Sequence, residues 1–254
     1  MKITFLGTGT SQGVPPIGCR SDVCLSENPR DKRLRASIHV EWNGLSLVVD
    51  CGPDFRYQMI RAGISHVDAL LFTHEHRDHT AGLDDIRPFF FKQGDIPIFA
   101  HQRVLDNLKK RFDYIFEIEN RYPGAPSVSV REVKNNIPFV IGDKKCIPIN
   151  VSHGSLQVFG YRIDDFAYLT DVKTIANSEI EKLQNLKVLV VNALREEPHE
   201  THFNLEEALA FIALVKPERA YLTHISHLLG FHQEVQQKLP TNVYLAYDNL
   251  EISI

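Results

Sequence analysis

Six ionisable side chains follow one apolar run without a break: Leu70-Leu71-Phe72-Thr73 leads into His74-Glu75-His76-Arg77-Asp78-His79. Neutral imidazole and carboxylate are borderline ligands that suit zinc, and manganese or iron can use them as well. On an extended or turning backbone, residues two apart point the same way, which pairs His74 with His76. Asp78 and His79 fall where the next turn would begin, a place that favours a carboxylate. A merely solvated loop has no reason to pack four ligand types so tightly. Four are still too few for two cations, and three other apolar runs end on the same chemistry. "IPINVSHG" delivers His153, "FAYLTD" delivers Asp171 and "RAYLTHISH" delivers His224. Each alone would be an ordinary core or surface residue. Four strand ends with one chemistry imply one site.

The elements that must position these groups are readable from periodicity and turn chemistry. Strands are expected at 2–6, 36–42, 45–50, 67–72, 96–99, 145–151, 157–163, 166–170, 187–193, 219–223, 243–247 and 250–254. Asn43-Gly44 is a strong two-residue hairpin signal between the second and third of them. Helices are expected near 53–62, 101–111, 175–184, 204–215 and 231–238. The best supported is 204–215, with Asn204 as N-cap, Glu207 completing a capping box and Pro217 as a stop. Hairpin strands with helices between some of them predict an α/β fold, two packed sheets with helices outside, an αββα four-layer sandwich. Residues 1–254 read as a single domain. The least regular stretch, 84–128, is the candidate lid or flap. Gly7, Gly9 and Gly13 follow a strand, but G-x-G-x-x-x-G followed by Pro15-Pro16 is not the dinucleotide-binding spacing. A tight turn lining the cleft fits better.

Composition excludes several classes. Of 254 residues 43% are hydrophobic, and 28 basic against 32 acidic residues give a net charge of −4. That balance argues against a protein built to coat nucleic acid or an anionic membrane. No apolar run approaches the roughly 18 residues of a membrane span, and "MKITFLGTGTSQG" is too short in apolar residues for a secretory leader. A cytoplasmic protein is expected. Cys19, Cys24, Cys51 and Cys146 then read as thiols or metal ligands rather than disulfides. Cys51 reads as a small buried apolar residue. Asp50 is a candidate acceptor for the second nitrogen of a metal-bound imidazole. The basic run "PRDKRLR" reads as a solvated charged face.

His-x-His-x-Asp-His, followed by a lone His, a lone Asp and a final His at strand ends, resembles the metallo-β-lactamase superfamily over nearly the whole chain. The resemblance implies the αββα fold, with His74, His76 and His153 on one metal, Asp78, His79 and His224 on a second, and Asp171 bridging. It further implies two divalent ions, zinc or manganese, whose bridging hydroxide attacks phosphorus, with Asp78 part of the catalytic machinery. "FLGTGTSQGVPPIGC", "VVDCGPDFR", "FNLEEA" and "LTHISH" are most similar to the phosphonate-pathway cyclic phosphodiesterases, which open phosphoribosyl cyclic phosphate. True β-lactamases fit less well, since they use cysteine where this chain has Asp171. In "EEPHETHFNLEEA", His202 lies 22 residues ahead of His224 (224 − 202), matching the catalytic histidine of related phosphodiesterases, which implies proton donation or phosphate binding. That branch also carries a structural zinc. Here Cys19, Cys24 and His227 match it, while Ser21 stands where the branch has a further cysteine, and Asp22 is the available substitute. Asp85 and Arg87 are within sequence reach of the cleft as substrate contacts.

The expected function is a phosphodiesterase acting on a small cyclic phosphate or cyclic nucleotide. The rivals are a tRNA 3′-processing endonuclease, a thioester or lactone hydrolase of the same fold, and a non-catalytic metal-binding module. The endonucleases carry a long tRNA-clamping arm between the positions of His153 and Asp171, whereas only 17 residues, 154–170, lie there. With the negative charge, nucleic acid is an unlikely partner. A homodimer is left open.

Overall fold

The computed structural model describes residues Met1–Ile254. In chain order the strands are β1 Lys2–Gly7, β2 Ser37–Trp42, β3 Leu45–Val49, β4 Ala69–Leu71, β5 Ile96–Ala100, β6 Val128–Glu132 and β7 Phe139–Ile141. There follow β8 Lys144–His153, β9 Leu156–Ile163, β10 Phe166–Tyr168, β11 Thr174–Ile175, β12 Val188–Asn192, β13 Arg219–Thr223, β14 Val243–Leu245 and β15 Glu251–Ser253. One sheet runs β15-β1-β2-β3-β4-β5-β6, and the other runs β11-β8-β9-β10-β12-β13-β14 with β7 beside β8. Each is antiparallel in its hairpin half and parallel in the rest: β3 to β6 in the first sheet, β10 to β12, β13 and β14 in the second. The parallel halves matter for function, because parallel neighbours deliver their carboxyl ends to one edge of the sheet.

Alternation along the strands sorts the core into three layers. Leu47 and Val49 of β3, Ala69 and Leu71 of β4, and Val188 and Val190 of β12 pack between the two sheets. Val48 and Leu70 point the other way, under the helices Phe55–Ala62, Arg87–Gln93 and Gln102–Arg111. Leu189 and Val191 face the helix Leu205–Val215 through Ala208, Phe211 and Ile212. Side chains on a strand have period two, so each central strand serves two cores at once. The result is the expected mixed α/β fold of two packed sheets flanked by helices.

Local chemistry acted as expected where it is strongest. Asn43 and Gly44 take positive φ, 48° and 81°, and close the β2–β3 hairpin. The Asn204–Glu207 capping box is formed in both directions, and Lys216 ends that helix in the left-handed region ahead of Pro217. Elsewhere the structure corrects the reading. Expected helix 175–184 is only Asn177–Ile180 plus a 3₁₀ turn, and β6, β7 and β11 were not foreseen. Of the segment 84–128, residues 87–116 form helices and the interior strand β5, which pairs with both β4 and β6. The irregular part is confined to 117–127.

The basic run is not a solvated face. Arg33 is 5% exposed and donates to Thr8 Oγ1 (2.8 Å) and to the carbonyl of Ala246 (2.6 Å). Arg35 is paired with Asp54 at 3.0 Å. Asp248 binds three chain segments together, accepting from Thr8 Oγ1, from the Leu34 amide (both 2.8 Å) and from Arg61 (3.3 Å). Removing one carboxylate from such a buried network strands its cations. Asp248→Ala is expected to cost about 3 kcal/mol of folding stability, read from urea unfolding. A loss under about 0.5 kcal/mol, the scale of an ordinary surface substitution, would contradict this account.

Candidate metal centre

The four strand ends converge. The loop after β4 carries His74 to His79, β8 ends on His153, the turn after β10 carries Asp171, and β13 is followed by His224. His79 Nε2 lies 3.1 Å from Asp78 Oδ2 and 3.2 Å from Asp171 Oδ2, and His224 Nε2 lies 3.4 Å from Asp171 Oδ1. Asp78, His79 and His224 form one group of potential ligand atoms within 4.8 Å of one another. His74, His79 and Asp171 form a second, and His153, Asp171 and His202 a third. Asp171 therefore belongs to two of the three.

The tautomers are set from behind. His79 Nδ1 donates to Asp50 Oδ2 at 2.7 Å, His153 Nδ1 donates to the Thr201 carbonyl at 2.7 Å, and His74 Nδ1 donates to Thr73 Oγ1 at 3.0 Å. Thr73 in turn donates its hydroxyl to Asp50, at 2.9 Å, and its amide to the same carboxylate, also at 2.9 Å. With Nδ1–H committed, Nε2 presents a lone pair, the arrangement a metal-binding imidazole requires. Asp50 thus holds His79 directly and His74 through Thr73.

The orphaned atoms mark where a cation would fit. Buried nitrogens without a hydrogen-bond partner include His74 Nε2, His79 Nε2, His202 Nδ1 and both ring nitrogens of His224. Natural proteins rarely leave such atoms unpaired, so a cluster of them beside two carboxylates fits divalent cations. Electrostatics agree. Burial lowers the His74 imidazole well below its ordinary value. Burial also opposes charge on His79, yet Asp78, Asp171 and Asp50 outweigh it and hold that ring well above the ordinary histidine range. Burial works against ionised Asp171, but His224 and His79 hold its carboxyl well below the usual range. The pocket is built for positive charge.

The backbone carries the same mark. Nine non-glycine residues have positive φ, and the three of them that are buried are Asp50 (66°), Asp171 (58°) and His224 (54°). Left-handed backbone is uncommon outside glycine, although Asp and His adopt it more readily than most, and a buried instance is held by its surroundings. Around His224 that support comes from the glycine-rich turn: Ile225 donates to the Thr8 carbonyl (2.9 Å), and Thr10 donates to the Ile225 carbonyl (3.0 Å). Gly52 gives another close approach, since a Cβ there would lie 2.0 Å from the Asp78 carbonyl oxygen. Gly52→Ala is expected to displace the Asp78 backbone and weaken metal affinity by about 10-fold or more, measured by competition with a chromophoric chelator. Unchanged affinity would show that the loop can yield.

Not every expectation closes. His76 is exposed and lies in none of the three groups, its ring centroid 4.5 Å from that of His74 and 5.3 Å from that of His153. The rings of His74, His76 and His153 nevertheless lie within 6.0 Å of one another by centroid, so the expected trio is adjacent in space. Cys19, Cys24 and His227 do gather within 4.8 Å, with Ser21 Oγ 3.4 Å from Cys19 Sγ, but Asp22 is not among them. His202 sits 4.4 Å from the His153 ring and 4.9 Å from the His224 ring, its pKa pushed down to about 3 by burial and by the neighbouring His224. Asp85 lines a cavity with Arg56, Met59 and Phe89, and Arg87 is paired with Asp84 (2.8 Å) and Tyr122 (3.2 Å). Neither is bonded to any of the converging residues. The sequence reading missed the outer support of the loop: Arg103 grips Glu75 at 2.8 and 3.1 Å, and Arg111 donates to Thr80 Oγ1 at 2.6 Å. Both arginines ride on one helix about 30 residues downstream, a separation that carries no local signal.

Comparison with known proteins agrees with this geometry. The family model described as a beta-lactamase superfamily domain matches residues 46–225. An octanoyltransferase of Porphyromonas gingivalis is 41% identical across the whole chain, which spans only 52% of that protein's length. A crystal structure of a diphosphatase from the PhnP family superposes with a TM-score of 0.93 at 38% identity, covering 100% of this chain and 97% of the other. Zinc-bound PqqB from Methylobacterium extorquens shares the fold, with a TM-score of 0.81 at 17% identity over the full length of both chains. No helix is long and apolar enough to cross a membrane. A cluster of imidazoles and carboxylates at the parallel-strand edge of two packed sheets and a family match across 46–225 lead to one conclusion: the chain belongs to the β-lactamase superfamily.

Proposed function

We propose that this chain is a metal-dependent hydrolase that cleaves a small phosphoric diester, a cyclic phosphate or cyclic nucleotide, using two divalent cations, zinc or manganese. The observation that carries the reading is the shared position of Asp171, a carboxylate that falls into two donor groups and faces both His79 and His224. A carboxylate in that place would be able to serve two cations at once. His74, His76 and His153 would hold one cation, and Asp78, His79 and His224 the other. Bound cations supply Lewis acidity to water and to the phosphoryl oxygens. The chain's own part is to orient and to pass protons. Asp50 and the Thr201 carbonyl keep the Nε2 lone pairs of His79 and His153 aimed inward. Asp78, with one oxygen facing His79 and His224, positions the reacting water. His202 reaches over the cluster to bind a phosphoryl oxygen or serve the leaving oxygen. The similarity to a PhnP-family diphosphatase supports phosphoryl rather than acyl chemistry. Cys19, Cys24 and His227, with two sulfurs and one imidazole, suit a further zinc held outside this cluster.

The test pairs elemental analysis of purified protein with a substrate panel of cyclic phosphodiesters, pre-tRNA and a lactone, each with zinc or manganese restored after chelation. Turnover of a cyclic diester that is lost on chelation and regained with metal is the expected result. Turnover of the lactone alone would overturn the reading.

A further inference from the structure

We infer that His199 is a specificity-determining residue of this site, donating a hydrogen bond from Nε2 to an acceptor oxygen on the part of the substrate beyond the scissile bond. The inference rests on the phosphodiesterase reading above. His199 Nδ1 accepts the Thr201 amide at 3.2 Å, which leaves the ring proton on Nε2, the opposite edge of the imidazole. That Nε2–H has no partner in the protein, and the side chain is half-buried, so it opens to solvent. Its ring centroid lies 5.1 Å from that of His202, at the rim of the metal centre. The loop that carries the ring is held on both sides of it. Arg195 binds the carbonyls of Glu197 (3.2 Å) and Pro198 (2.8 Å), Asn204 Nδ2 binds the carbonyl of Glu196 (2.8 Å), and Thr201 also receives His153 Nδ1 on its carbonyl. A braced loop therefore presents one donor without a protein partner beside the site, with Arg195 and Lys173 adding positive field and Glu200 opposing it. Four bonds hold the backbone and none uses the outward nitrogen. Folding alone leaves that donor without a use.

The chemistry selects an oxygen-bearing leaving portion, a sugar hydroxyl or a second phosphate. The experiment compares wild type with His199→Ala, His199→Gln and His199→Asn, all metal-loaded, on adenosine 2′,3′-cyclic phosphate with and without a 5′-phosphate and on bis(p-nitrophenyl) phosphate. His199→Ala is expected to raise KM about 10-fold on the nucleotides, with kcat and metal content unchanged, and to leave the aryl diester unaffected. Glutamine places its amide nitrogen near the Nε2 position and should restore KM, whereas asparagine, which mimics Nδ1, should not. A KM rise confined to the 5′-phosphorylated compound would identify the phosphate as the acceptor, and an equal rise on both would identify the sugar. An unmoved KM, restoration by asparagine as good as by glutamine, or loss of metal from His199→Ala would each overturn the inference. A wild type inactive on all three diesters would remove the phosphodiesterase reading and this inference with it.

Discussion

Asp171→Asn is expected to lose at least one cation and to lower kcat on the order of 10⁴-fold, while the protein stays folded. Asparagine is the informative replacement because it tolerates the left-handed backbone at φ 58° and keeps an acceptor for the Thr170 hydroxyl, now 2.6 Å from Oδ2. What it removes is charge. Three histidines, His79, His202 and His224, lie within 3.2–3.7 Å of the two carboxylate oxygens, and burial leaves no water to replace the lost negative charge. Metal content by mass spectrometry and kcat on the best cyclic diester are the measurements. A variant that kept full metal and wild-type turnover would show that Asp171 is not the shared ligand.

His202→Ala is expected to lower kcat by roughly 10²–10⁴-fold with metal content unchanged. The ring is buried, 8% exposed, and its Nδ1 has no hydrogen-bond partner although Asp171 Oδ1 stands 3.7 Å away. A buried imidazole with an unspent nitrogen over the site is placed to take its partner from the substrate. A metal ion is the competing partner, since His202 groups with His153 and Asp171 within 4.8 Å. Metal content separates the two. If the variant drops metal as well as rate, His202 is a ligand; if it drops neither, the residue has no part in the chemistry.

Much of the site was legible because ligands sit at the ends of elements whose signals are local. Apolar runs mark β4, β8, β10 and β13, and the polar residues that end each run fall at the sheet edge. His74, Asp78, His79, His153, Asp171 and His224 were all reached this way. The flap was over-read for the opposite reason. Pro88, Pro97 and three consecutive phenylalanines obscure the period of 84–116, yet burial of Phe89, Ile96, Ile98 and Leu105 beneath the first sheet orders it fully. Arg33 shows the same limit. A run of basic residues looks solvated until the chain end, with Ala246 and Asp248, folds back over it.

By itself the sequence determined which side chains can bind a cation, which elements carry them and that their number suffices for two ions. Tertiary structure decided which atoms face one another: that Asp171 falls in two donor groups, that the His76 ring lies beside those of His74 and His153, and that Gly52 must be bare for Asp78 to pass. Local periodicity reports only whether a residue points inward. Distances between strand ends a hundred residues apart depend on how two sheets pack, and that is settled by the whole core at once.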